Sequence, residues 1–141
     1  MATTTAAITI TSTDIMDSPL SISNTSTLTT AGTNTGLVET TGLARKKFAS
    51  SSNIILLDHG LTSGIAADVT ADKSAKVYIK NVNDRGDGTK YVDILIKTRE
   101  IGRLYGGDWM FMPWSGGSGE DIEYTASDTT ETTLEYCVFY E

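Results

Sequence analysis

The side chains that could do chemistry are few, and they are scattered. His59 is the only histidine and Cys137 the only cysteine. A zinc or iron centre needs two or three such ligands converging, so nitrogen and sulfur ligation of a catalytic metal is excluded. A lone cysteine also excludes an internal disulfide. A Ser–His nucleophile would have to be built on His59, and no Gly-x-Ser-x-Gly turn accompanies it. Carboxylates are more plentiful. The pair to weigh is Asp108, between Gly107 and Trp109, with Glu120 or Asp121 as its second acid. Glycoside cleavage runs on two such groups, and a neighbouring tryptophan can stack on a sugar ring. Asp also accepts N–H bonds in its own turn, and Trp109, Phe111 and Trp114 serve core packing or self-association as readily. Those simpler roles are the expectation, with no catalytic residue and no cofactor.

Asn83, Asp84 and Asp87 have the composition of a calcium loop but lack its Asp-x-Asp-x-Asp-Gly order and distal glutamate. Arg85-Gly86-Asp87 is an integrin-type tripeptide in a stretch whose Gly and Asp the turn itself requires. The chain carries a formal charge of -7. Its one basic run, Arg45-Lys46-Lys47, is too short for a phosphate-binding patch, so nucleic acid is not an expected partner. No stretch reaches the ~20 apolar residues of a membrane-spanning helix, and the start lacks the basic and apolar blocks of a signal peptide.

The elements that must position these residues read as strands. Residues 1–41 are rich in Thr and Ser, and Ala7-Ile8-Thr9-Ile10-Thr11 and Leu20-Ser21-Ile22-Ser23 alternate apolar and hydroxyl side chains. That period predicts strands near 6–15 and 19–30. A weaker strand is expected within 43–49. The unbroken apolar run 54–57 predicts a strand buried on both faces. Residues 66–73 are the one place for a helical turn.

Alternation returns at 75–82 and 91–97, and Asp87-Gly88 between them is a strong hairpin signal. Further strands are expected at 99–105, 109–114, 122–125 and 132–140. In the last, Leu134, Tyr136, Val138 and Tyr140 share one face, and Glu135, Cys137 and Phe139 the other. The stretch 102–117 holds both tryptophans between glycine turns and is expected to anchor the core as a hairpin. Short strands with glycine turns and no amphipathic helix predict an all-β, antiparallel β-sandwich, wired as a jelly roll. Residues 1–18 are expected as an N-terminal arm or edge strand, and 19–141 as a single domain.

Two resemblances add to this. Gly107-Asp108-Trp109-Met110-Phe111-Met112-Pro113-Trp114 resembles the Gly-Asp-x-x-x-x-Pro hairpin of the cupin double-stranded β-helix, whose metal ligands have no counterparts here. Residues 74–141 resemble small virion structural proteins of tailed, especially marine, bacteriophages. The likeness rests on Lys76-Val77-Tyr78-Ile79-Lys80-Asn81, Ile101-Gly102-Arg103-Leu104-Tyr105-Gly106-Gly107-Asp108, Met112-Pro113-Trp114 and Thr133-Leu134-Glu135-Tyr136.

That second resemblance implies a non-enzymatic β-sandwich that decorates the capsid or forms part of the tail, and a capsid decoration (cement) protein is the expectation. It would bind the major capsid protein on the capsid surface as a homo-oligomer, a trimer being one option. The arm would then order on a neighbouring subunit through Ile8, Thr9, Ile10 and Thr11. The competing expectations are an adhesin whose loops 85–88 and 115–119 touch a host glycan, and an enzyme built on Asp108.

Overall fold

The computed structural model describes residues 4–14, 19–29, 36–37, 39–48, 53–58, 75–86, 88–115, 119–127 and 132–140. The expected helical turn at 66–73 and His59 lie outside them. The described residues form eleven strands: β1 (Thr5–Ser12), β2 (Leu20–Thr27), β3 (Glu39–Thr40), β4 (Ala44–Phe48), β5 (Ile54–Leu57), β6 (Ala75–Asn81), β7 (Tyr91–Ile96), β8 (Arg99–Tyr105), β9 (Trp109–Trp114), β10 (Ile122–Ala126) and β11 (Thr132–Tyr140).

β7, β8, β10 and β5 make one sheet in the order β5-β10-β7-β8. A second runs β3-β11-β6-β9, with β4 also on β11. All pairings in the two sheets are antiparallel. The inward side chains of both meet in one core, with Val77, Ile79, Leu134, Val138 and Trp114 from one sheet and Val92, Ile94, Leu104, Ile122 and Tyr124 from the other. The protein is an antiparallel β-sandwich.

Alternation produces this core directly. On β6, Val77, Ile79 and Asn81 are buried while Lys76, Tyr78 and Lys80 point outward. β11 divides as its sequence predicts, with Leu134 and Val138 fully buried in the core.

Two hairpins expected from the sequence do not form. Asp87-Gly88 does not close a hairpin. β6 and β7 lie in different sheets, so the connection between them crosses the sandwich. The stretch 102–117 is likewise not a hairpin, since β8 and β9 are edge strands of opposite sheets. From β4 onward the chain changes sheet at every connection except β7 to β8. That hairpin turns on Lys97 (φ 51°) and Thr98 (φ 64°), with Ile96 opposite Arg99. Two left-handed residues in a two-residue loop suit the twist of the strands, but here neither is Gly, Asn or Asp. The strand 54–57 is not buried on both faces either. β5 is a sheet edge, so Ile54 and Ile55 are exposed and only Leu56 and Leu57 are buried.

β1 and β2 stand apart from both sheets. They pair along their whole length, Ile10 opposite Ile22, as a two-stranded ribbon. β1 therefore finds its strand partner within this chain. The base of the ribbon is pinned by Leu28 N–H to the Thr4 carbonyl (2.8 Å) and Leu37 N–H to the Leu28 carbonyl (3.0 Å), around buried Leu28 and Leu37.

Candidate functional site

Asp108 is a turn residue with an added ion pair. Its Oδ2 accepts the Tyr105 N–H (3.1 Å), its own N–H donates to the Tyr105 carbonyl (2.9 Å), and its Oδ1 takes Arg85 Nη2 at 2.7 Å. The sequence puts two glycines before it for a steric reason. A Cβ on Gly106 would lie 2.3 Å from the Asp84 carbonyl oxygen, and Gly107 has φ 84°. This turn is tied to the end of β6 through Asn81, which is fully buried. Asn81 Nδ2 donates to the Leu104 carbonyl (3.0 Å), and its Oδ1 accepts the Asn83 N–H (3.1 Å). Asn81 also exchanges backbone bonds with Gly107 (2.8 Å) and Asp108 (3.0 Å). The sequence reading missed Asn81. A polar residue at an inward position of an alternating strand was the signal available.

The carboxylate pairs weighed for catalysis do not assemble. Glu120 accepts a hydrogen bond from Ser115 Oγ, and its carbonyl accepts Trp114 Nε1–H (2.7 Å). It therefore sits at the far end of β9 from Asp108, and six extended residues span about 20 Å. A glycosidase pair needs roughly 5–10 Å. Asp121 accepts the Lys97 N–H on its carbonyl (3.2 Å), at the Ile96 end of β7, whereas Tyr105 beside Asp108 pairs with Tyr91 at the other end. Among the described residues no cluster of three or more His, Cys, Asp or Glu could hold a metal ion. Asp84 Oδ1 caps its own turn by accepting the Gly86 N–H (3.0 Å). Asp87 and the loop positions 116–118 lie outside the described residues.

Two surfaces remain as candidates for contact. The first is the ribbon. Ile8, Ile10 and Ile22 share one face and are 37 %, 52 % and 49 % exposed, which is unusual for isoleucine in a strand. Thr9 and Thr11 lie on the opposite face with Ser21 and Ser23, so the four residues grouped by sequence serve two sides.

The second surface is the outer face of the β3-β11-β6-β9 sheet. There the structure separates the aromatic trio. Trp114 is buried in the core at 2 % exposure, whereas Trp109 is 51 % exposed. Phe111 is half-buried on the same outer face as Trp109. Trp109 lies beside Tyr78 (ring centroids 6.4 Å), and Phe111 meets Phe139 edge-on (6.3 Å). Arg45 Nε binds Glu135 Oε2 at 2.7 Å on this face, and the Cys137 sulfur lies 3.0 Å from Thr40 Oγ1. Burial, and then the Glu135 carboxylate, raise the pKa of the Tyr78 hydroxyl above its ordinary value. The Tyr78 hydroxyl is therefore a neutral donor at physiological pH.

No family model matches the chain, and no curated protein matches it.

Proposed function

We propose that the protein is a non-enzymatic virion structural protein, a capsid decoration (cement) protein. It binds across joints between major capsid protein subunits on the capsid surface and stabilises the shell. The observation that carries this reading is the ribbon. A two-stranded β-ribbon with both faces in water is marginally stable by itself, and this one holds three exposed isoleucines on one face. β1 and β2 contain no charged side chain, so covering them requires no desolvation of ions. Such a segment suits a neighbouring protein surface, and the resemblance of residues 74–141 to phage virion proteins supplies the neighbour.

The strand order β4-β11-β6-β9 facing β5-β10-β7-β8 fits the jelly-roll wiring common in capsid-associated domains. Each contact is small. Many symmetric copies acting on one shell make small contacts sufficient, and association of the protein as a homo-oligomer on the shell belongs to the same reading.

The test is rebinding of purified protein to expanded, undecorated capsids. Near-stoichiometric copy number is expected, and Ile10→Asp with Ile22→Asp is expected to reduce occupancy while the sandwich keeps its melting temperature. Absence of binding to capsids together with binding to host cells would refute the reading in favour of an adhesin.

A further inference from the structure

We infer that the outer face of the five-stranded sheet is a second docking surface of this protein, and that the shell surface beneath it is acidic. The inference rests on the decoration reading and adds which side of the sandwich faces the shell.

The face combines the aromatic and cationic side chains common in protein interfaces, with Tyr78 at its centre and Phe111 and Trp109 on the edge strand β9. On β6 the outward residues are Lys76, Tyr78 and Lys80. Across the β9 pairing Tyr78 lies opposite Phe111 and Lys80 opposite Trp109. Tyr78 is thus central and the two lysines flank it. On β4, Arg45 and Lys47 fall on the same face by register with β11. The one outward carboxylate among the described residues of this face is Glu135, and Arg45 holds it at 2.7 Å. A chain of formal charge -7 thus keeps a cationic excess on this sheet face. Trp109 at its edge is the most exposed aromatic of the described residues, and tryptophan is the residue type that most often anchors an interface.

Charge and area select the occupant. A second copy laid face to face would set lysine against lysine. A polynucleotide binds through something like six to ten phosphate contacts, and this face holds four cations, one of them tied to Glu135, on an acidic chain. Four strands about 4.8 Å apart and six residues long cover roughly 400 Å², about half of what one partner buries in a stable pairwise complex. Such a face binds weakly alone and firmly only when repeated, as on a shell. The partner is therefore an acidic protein surface presented in many copies.

The experiment measures binding to undecorated capsids at low and high salt for the wild type, Trp109→Ser, Lys76→Glu with Lys80→Glu, and Lys97→Glu with Arg99→Glu. The last pair makes the same charge change on the exposed tip of the β7–β8 hairpin. The two sheet-face variants are expected to weaken binding about tenfold or more, with unchanged melting temperatures. The hairpin-tip pair is expected to stay within about twofold, because salt screens charges far from the contact. Sheet-face variants that bind as the wild type does, or a hairpin-tip pair that falls as far, would overturn the inference and leave the decoration reading standing. Failure of the wild type itself to bind capsids overturns both. Sedimentation showing an oligomer that Trp109→Ser dissolves, or binding of an oligothymidine quenching Trp109 fluorescence, would assign the face to another occupant and overturn it as well.

Discussion

Asn81→Asp turns a buried hydrogen-bond hub into a pH-dependent fault, and its size follows from the geometry. Asn81 is fully buried, and its Nδ2 points at the Leu104 carbonyl oxygen at 3.0 Å, with the Lys90 carbonyl at 3.5 Å. A carboxyl group in that place keeps its acceptor toward the Asn83 N–H but sets its second oxygen against carbonyl oxygens. Protonated, it can donate to Leu104 as the amide does. Ionised, it is a buried anion facing two dipoles of the wrong sign.

The folded state therefore favours the protonated form and raises the pKa of the new carboxyl above the unfolded value near 3.9, by about 3 units for a fully buried acid. A raised folded pKa means that stability is intact below about pH 4 and is lost as pH rises through the folded pKa. The loss grows by about 1.4 kcal/mol per pH unit, to roughly 4 kcal/mol at pH 7. With an unfolding entropy of about 2.1 cal/mol/K per residue, this is a fall of roughly 13 °C in Tm at neutral pH. The assay is thermal unfolding of variant and wild type side by side from pH 3.5 to 8. Asn81→Ala serves as a control that loses roughly 2–3 kcal/mol at every pH. A Tm difference for Asn81→Asp that does not change with pH would refute the assignment of Nδ2 as donor to Leu104.

Three other predictions follow from local geometry. Gly106→Ala should destabilise by about 3 kcal/mol, because its Cβ would meet Asp84 backbone atoms at 2.3 and 2.6 Å and the obstacle is main chain; Gly88→Ala, with open space around it, is the control in denaturant melts. Replacing Lys97-Thr98 by Asn-Gly should stabilise the protein by about 1 kcal/mol, since both positions are left-handed, and an unchanged denaturation midpoint would count against the turn. Burial pushes the Tyr124 phenol up to about 12 from its ordinary value near 10, so stability is full below pH 10 and declines between pH 10 and 12, by at most about 2 kcal/mol. Tyr124→Phe should flatten that decline, as followed by unfolding rates in alkali.

Strands were the legible part of this chain, because alternation along β6 and β11 is a local property that burial then enforces. Which successive strands are joined by hairpins was not legible. Asp87-Gly88 carries the composition of a hairpin turn, yet it joins strands of different sheets, while the hairpin β7–β8 turns on Lys97-Thr98 with no glycine. Tertiary pairing overrode turn chemistry at both places. Asp108 as a turn acceptor could be read from its glycines. The cationic sheet face could not, because Arg45, Lys76 and Lys80 reach one surface only through a common neighbour, β11, which lies far along the chain from all three. Trp109 and Trp114 look alike in sequence, and only their positions on β9, an odd number of residues apart, send one outward and the other inward.

The place of β11 at the middle of its sheet also sets when the fold can form. β4 and β6 pair with β11 and not with each other, and β5 and β7 both pair with β10 and not with each other. As the chain leaves the ribosome, among the described strands only β1–β2, β7–β8 and β6–β9 can find their partners before β10 and β11 emerge. Until then β4 and β5 have no partner strand. Pairing over such separations is slow, and waiting strands are prone to mispair with other copies. Slow completion of the sheets by β10 and β11 would then limit the yield of folded protein, so lower temperature and slower synthesis should raise the soluble fraction.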